Sequence, residues 1–222
     1  MSTYKAKILS YLEYRTPAIY HASSTLLQQI DSIQSKFLRE IGINPIEALL
    51  EYHLAPLNAR RDMGMLGLVH RTVLGLGPPH FQKYFKLAEP SLHPTGRNTL
   101  TRHSFQLMTY RTGKFLDVLG QSVLGLVDIY NLLPQFVVNA PTVKVFQRRV
   151  QHMLRTEAES GNDLWHELFS PRKPLWNHKL VAWRLYREGN NEFNSNTVNA
   201  TECATSTCVN GWLSFGSGIC GR

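Results

Sequence analysis

Long apolar runs are missing from this sequence of 222 residues, and cysteine is scarce. The most apolar stretch, residues 115–138, is interrupted by Asp117, Asp128 and Pro134, so no segment reaches the ~18 apolar residues of a transmembrane helix. The first residues also lack the apolar core of a secretory signal. All 3 cysteines lie near the C-terminal end, which excludes a disulfide framework for the rest of the chain. These absences predict an intracellular protein, nuclear or cytoplasmic, with no membrane partner.

Clustered carboxylates are missing too. Aspartate occurs only at positions 31, 62, 117, 128 and 163, and no two are adjacent, whereas two-metal catalysis needs carboxylates that hold cations close together. Gly113-Lys114 lacks the upstream glycine of a phosphate-binding loop, and the segment around Ser122 is one residue too long for a nucleophile elbow. The sequence therefore predicts no catalytic residue, no metal site and no cofactor.

The last part of the chain differs from the rest in composition and charge. Residues 1–188 carry a net charge of +9, and residues 189–222 carry −1 and are rich in Asn, Thr, Ser and Gly. Such a segment has too little apolar surface to offset the entropy lost on ordering, so a flexible tail is predicted. Cys203, Cys208 and Cys220 within it lack the spacing of a zinc site.

Elsewhere the apolar residues recur with helical spacing. In residues 25–42 they fall at positions 26, 30, 33, 37 and 41, which predicts an amphipathic helix with this side buried. Asn44-Pro45 predicts a capped helix start, and further helices are predicted over 6–14, 57–74 and from residue 143 onward. We expect a mainly α protein: a small helical bundle over 1–77, a less regular α-rich segment over 78–188, and the flexible tail over 189–222.

Positive charge gives the main functional indication. A pI near 9.5 is typical of proteins that neutralise nucleic-acid phosphates. Lys36 and Arg39 lie on a helix face rich in Gln and Ser, and Arg60-Arg61 follows in the next long helix. Such side chains bind sugar and phosphate oxygens without reading base sequence.

Several ordered landmarks resemble the region that follows the palm in reverse transcriptases of non-LTR (LINE-type) retrotransposons. They are the Tyr-x-x-x-apolar…Leu-Glu-Tyr run of residues 4–14, the Leu/Pro stretch and Arg-Arg pair of 54–61, the apolar helix of 66–71, the Tyr-Asn-Leu-Leu-Pro box of 130–134, and the Phe-Gln-Arg-Arg segment of 146–149. The resemblance covers residues 4–155 and omits the tail. The palm's aromatic-x-Asp-Asp motif is absent from this sequence, as is a Cys/His knuckle.

The resemblance implies the thumb and post-thumb region of an RNA-directed DNA polymerase, cut before its catalytic palm. Such a thumb grips the backbone of the template–primer duplex while the palm does the chemistry. By this reading Gln28, Lys36 and Arg39 meet an RNA–DNA hybrid or other duplex, and Arg60 and Arg61 are supporting phosphate ligands. The partners are then nucleic acid and the missing palm and fingers polypeptide, and this chain alone is not expected to polymerise.

Two alternatives remain open. The chain could be a helical protein–protein interaction module that uses apolar residues left uncovered without a palm. It could also be decayed element sequence with no selected function, in which case apolar faces such as that of Leu9 and Leu12 would be uncovered and unfolding would not be cooperative.

Overall fold

The computed structural model describes residues 1–88, 103–109, 120–172 and 178–181. The described residues are mainly helical, as predicted, and they contain no strand, only an isolated bridge between Leu87 and Leu107. The predicted tail and its cysteines lie outside these ranges.

Residues 1–88 contain six α-helices. A π-helical segment, Tyr4–Leu9, leads into α1 (Ser10–Tyr14). It is followed by α2 (Thr16–Ile19), α3 (Ser24–Glu40), α4 (Pro45–Leu50), α5 (Leu57–Val73) and α6 (Pro79–Gln82).

The second half adds three more helices in the described residues. A 3-10 turn, Val123–Gly125, precedes α7 (Leu126–Leu132), which is followed by α8 (Gln135–Val138) and α9 (Val143–Glu159). A further 3-10 turn spans Trp165–Glu167.

Local sequence signals explain several helix ends. Asn44 caps α4 as predicted, because its Oδ1 accepts a hydrogen bond from Glu47 N at 2.8 Å. Thr142 caps α9 in the same way through Val145 N. At the start of α3 the cap is Ser23, which accepts from Leu26 N, so the helix begins one residue before the predicted residue 25. Gly75, with φ of +75°, adopts the left-handed conformation that ends α5.

The larger core forms where α5 packs against α7 and α9. His70 of α5 is fully buried there, with its ring stacked on Phe146 of α9 at 4.2 Å between centroids. Its Nε2 lies 3.0 Å from Ala140 O, so this nitrogen carries the proton, and Nδ1 accepts from the Tyr130 hydroxyl at 2.9 Å. The core therefore takes residues from both sides of the boundary predicted at residue 77.

A smaller cluster joins the N-terminal segment to α3, α4 and the start of α5. It consists of Tyr4, Leu9, Leu38, Ala48, Leu54 and Leu57. Tyr4 also stacks on Phe37 with 4.1 Å between ring centroids. Leu9 is thus covered, contrary to the expectation attached to the decayed-sequence alternative.

The predicted buried face of α3 is only partly right. Leu26 and Ile33 are 53% and 41% exposed, and Leu27, Gln34 and Leu38 are buried instead. The rotation has a polar cause: Asp31 forms an ion pair with Arg61, and Gln34 Nε2 donates to Ala55 O at 3.1 Å. These long-range contacts turn polar residues inward, and helical periodicity alone does not reveal them.

Candidate nucleic-acid interface

The polar face of α3 carries three of the predicted site residues. Gln28, Lys36 and Arg39 are all exposed. Eleven residues separate Gln28 from Arg39, which at 1.5 Å per residue is about 16 Å of helix. Lys36 and Arg39 form no ion pair with any described residue. Leu27 and Leu38 on the other side of α3 are buried and fix the orientation of the helix. Two cations and an amide therefore lie along its exposed side.

Arg60 and Arg61 lie elsewhere. They are only 6% and 7% exposed, so the expectation that they lie on a surface open to a duplex is wrong. Arg60 Nε donates to Glu13 of α1, and the Arg61 guanidinium donates to both carboxylate oxygens of Asp31 at 2.5 and 2.8 Å. Their charges are neutralised internally, and the two ion pairs tie α5 to α1 and α3.

The two lysines near the N-terminus, Lys5 and Lys7, also differ in how far they are exposed. Lys5 is half-buried and donates to Tyr52 O, and burial lowers the pKa of its ammonium group. Lys7 is exposed. Of these two lysines, only Lys7 offers its charge to the surface.

A second cationic face, which the sequence analysis did not assign as a site, runs along α9. Lys144, Arg148 and His152 are exposed and recur every four residues, so they share one side of the helix. Arg155 extends the row by one turn and is held by hydrogen bonds to His53 Nδ1 at 2.9 Å and Leu50 O at 3.2 Å. The four-residue spacing of these side chains is the signal in the sequence that points to this face. The neighbouring Arg149 is half-buried and donates to Phe136 O.

A groove of about 1200 Å³ lies between α3, α4, the start of α5 and the segment from Gly161 to Arg172. Six carboxylate side chains line it: Asp31, Glu47, Glu51, Asp62, Asp163 and Glu167. The lining arginines are Arg61 and Arg172, so the formal charge of the lining is negative. The negative charge of this lining, to which Gln28 also belongs, disfavours an anionic ligand within the groove.

Asp62 is the most perturbed carboxyl group of the groove. Desolvation raises its pKa to about 7, although the hydrogen bond from Tyr20 and the nearby charge of Arg61 act in the opposite direction. The Tyr20 hydroxyl donates to Asp62 Oδ1 at 2.7 Å. Burial and the adjacent carboxylate raise the pKa of the Tyr20 phenol well above its usual value. The pair therefore acts as a fixed hydrogen-bonded contact between α5 and the segment after α2.

The described residues hold no group of three or more His, Cys, Asp or Glu side chains placed to bind a metal ion. Within the same part of the chain, every helix is too short or too polar to cross a bilayer. Comparisons with known protein families, with curated proteins and with solved structures find no match to this chain. The arguments for its function therefore rest on its own residues.

Proposed function

We propose that this chain is a non-catalytic helical module that grips the backbone of a nucleic-acid duplex without reading its sequence. The observation that carries the proposal is the exposed face of α3, where Lys36 and Arg39 stand beside Gln28 without a carboxylate partner among the described residues. These two exposed cations can pair with phosphate oxygens of a nucleic-acid backbone, and the amide adds a neutral hydrogen-bonding group.

The resemblance to the thumb region of a non-LTR reverse transcriptase gives the proposal its biological context. In that context the ligand is the RNA–DNA hybrid of a template and primer, and the chemistry belongs to a palm that this sequence does not contain. Arg60 and Arg61 then act as internal braces of the module.

The test is binding of a fluorescent RNA–DNA hybrid at increasing salt, followed by anisotropy. Contact with three to five phosphates predicts a log–log slope of roughly −3 to −4. The double variant Lys36→Gln/Arg39→Gln should reduce that slope by about 2, because each lost phosphate contact removes about 0.9.

Lys83→Gln/Lys86→Gln is the matched control, since both lysines are exposed, lie close in sequence and are remote from α3 in the chain. It should leave the slope near that of the unaltered chain. The proposal fails if hybrid binding is undetectable at low salt, or if the two double variants weaken it equally.

A protein–protein interaction module is the second candidate, and a specific observation favours it. Ile8, Tyr11 and Tyr14 of the N-terminal helices are 44–72% exposed, and Leu26 and Ile33 of α3 are 53% and 41% exposed. Exposed apolar groups of this size mark binding surfaces in many proteins. This candidate predicts oligomers or a complex whose mass, measured by light scattering, is insensitive to salt.

A further inference from the structure

The acidic groove is unusual for a chain with a net charge of +8. Of the 16 acidic side chains in the whole sequence, six line this one groove. Asp31 is neutralised by Arg61, and Glu47 accepts a hydrogen bond from the Asn44 side chain at 3.5 Å. Glu51 and Asp163 are exposed and form no ion pair with described residues. With Arg61 and Arg172 as its lining arginines, the groove keeps negative charge that the described residues do not compensate.

An unsatisfied hydrogen-bond acceptor lies in the wall of the same groove. Gln34 is 3% exposed and lines the groove, and its Oε1 has no hydrogen-bond partner among the residues that the structure describes. The assignment of oxygen and nitrogen is fixed, because Nε2 donates to Ala55 O and the reverse orientation would oppose two oxygens. A buried acceptor without a donor is uncommon in native proteins, and a ligand that enters the groove can supply the missing donor.

The requirements of the groove are those of one kind of ligand. A lysine or arginine side chain carries a positive charge that can pair with Glu51 and Asp163. Its polar hydrogens are all hydrogen-bond donors, and a donor is what the Gln34 Oε1 acceptor lacks. We propose that the groove binds a Lys/Arg-rich segment of another protein. This goes beyond the nucleic-acid proposal, because the groove and the α3 cations would then serve two ligands of opposite charge.

The first experiment measures binding of fluorescein-labelled octa-lysine to the full chain by anisotropy at low salt. The double variant Glu51→Gln/Asp163→Asn should raise Kd about fivefold or more, since it removes the two uncompensated carboxylates. The matched control is Glu40→Gln/Glu159→Gln, which removes the same charge from exposed positions outside the groove and should change Kd less than twofold. Hybrid binding should not weaken in either double variant.

A second measurement needs no variant and locates the peptide. Zero-length carbodiimide cross-linking of octa-lysine, read by mass spectrometry, should join the peptide to Glu47, Glu51 or Asp163 in preference to Glu40 or Glu159. The proposal is overturned if octa-lysine does not bind, if the two double variants weaken it equally, or if cross-links fall mainly outside the groove.

Discussion

Arg60 and Arg61 occupy adjacent positions in the first turns of α5, yet they face different partners, Glu13 and Asp31. A helix advances 100° per residue, so neighbours in sequence point to different elements. Arginine suits this role because its planar guanidinium gives two parallel hydrogen bonds to one carboxylate, as Arg61 does with Asp31. Removing one member of a buried pair typically costs about 3–5 kcal/mol of stability, which is why neither arginine serves as a test of phosphate binding.

Asp62 should make the stability of the molecule depend on pH. Its pKa is about 7 in the folded chain against 3.8 as a free side chain, so the native state binds the proton more tightly than the unfolded state. Stability from this group is present below pH ~4 and is lost as the pH rises towards 7. Asp62→Asn keeps an acceptor for the Tyr20 hydroxyl but cannot ionise. We expect the variant to be more stable than the unaltered chain at pH 8, by the order of 2–4 kcal/mol, with little difference at pH 4.

Urea unfolding followed by circular dichroism at pH 4, 6 and 8 measures this difference. Asp163→Asn is the control, since it makes the same change of side chain at an exposed position. An Asp62→Asn variant that loses stability at every pH would show that the charged carboxylate stabilises the fold.

At the scale of the elements, α4, α5 and α9 could be predicted from the sequence because their signals are local. Asn44-Pro45 fixes the start of α4, and the apolar spacing from Val143 gives α9. The inward face of α3 could not be predicted, because it depends on Asp31 meeting a residue 30 positions later in the chain. The acidic groove was missed for the same reason, since its carboxylates come from four separate stretches of sequence.

The orientation of α3 gives a direct prediction. Leu27→Ala or Leu38→Ala should each cost about 2–5 kcal/mol, because both side chains are buried and their truncation leaves a cavity. Leu26→Ala and Ile33→Ala should each cost less than about 1 kcal/mol, because these side chains are largely in solvent. Denaturant midpoints of the four variants make the comparison, and equal losses from the two pairs would contradict this orientation.

At the scale of the whole molecule, the two halves share their largest core. Leu66, Val69 and His70 of α5 are fully buried against residues that follow position 77 in the sequence, and Gly67 lies where a Cβ would come within 2.7 Å of Gln147 Nε2. The helix that completes the predicted N-terminal bundle is thus also the centre of the second part. The sequence predicts the helices on each side of residue 77, but no local sequence pattern indicates that helices from the two sides pack against each other.

A chain ending at residue 77 should therefore fail to fold as a unit. It keeps the six-residue cluster around Tyr4, Leu38 and Leu57 but exposes the α5 side that α7 and α9 cover. Each large apolar side chain uncovered in this way costs about 1.5–3 kcal/mol of stability. The sum over several such residues exceeds the roughly 5–15 kcal/mol that stabilises a typical domain. Thermal unfolding of the full chain, followed by circular dichroism, should show one cooperative transition, whereas the truncated chain should lose its helix signal gradually. A cooperative transition of the truncated chain near the midpoint of the full chain would show instead that residues 1–77 form an independent bundle.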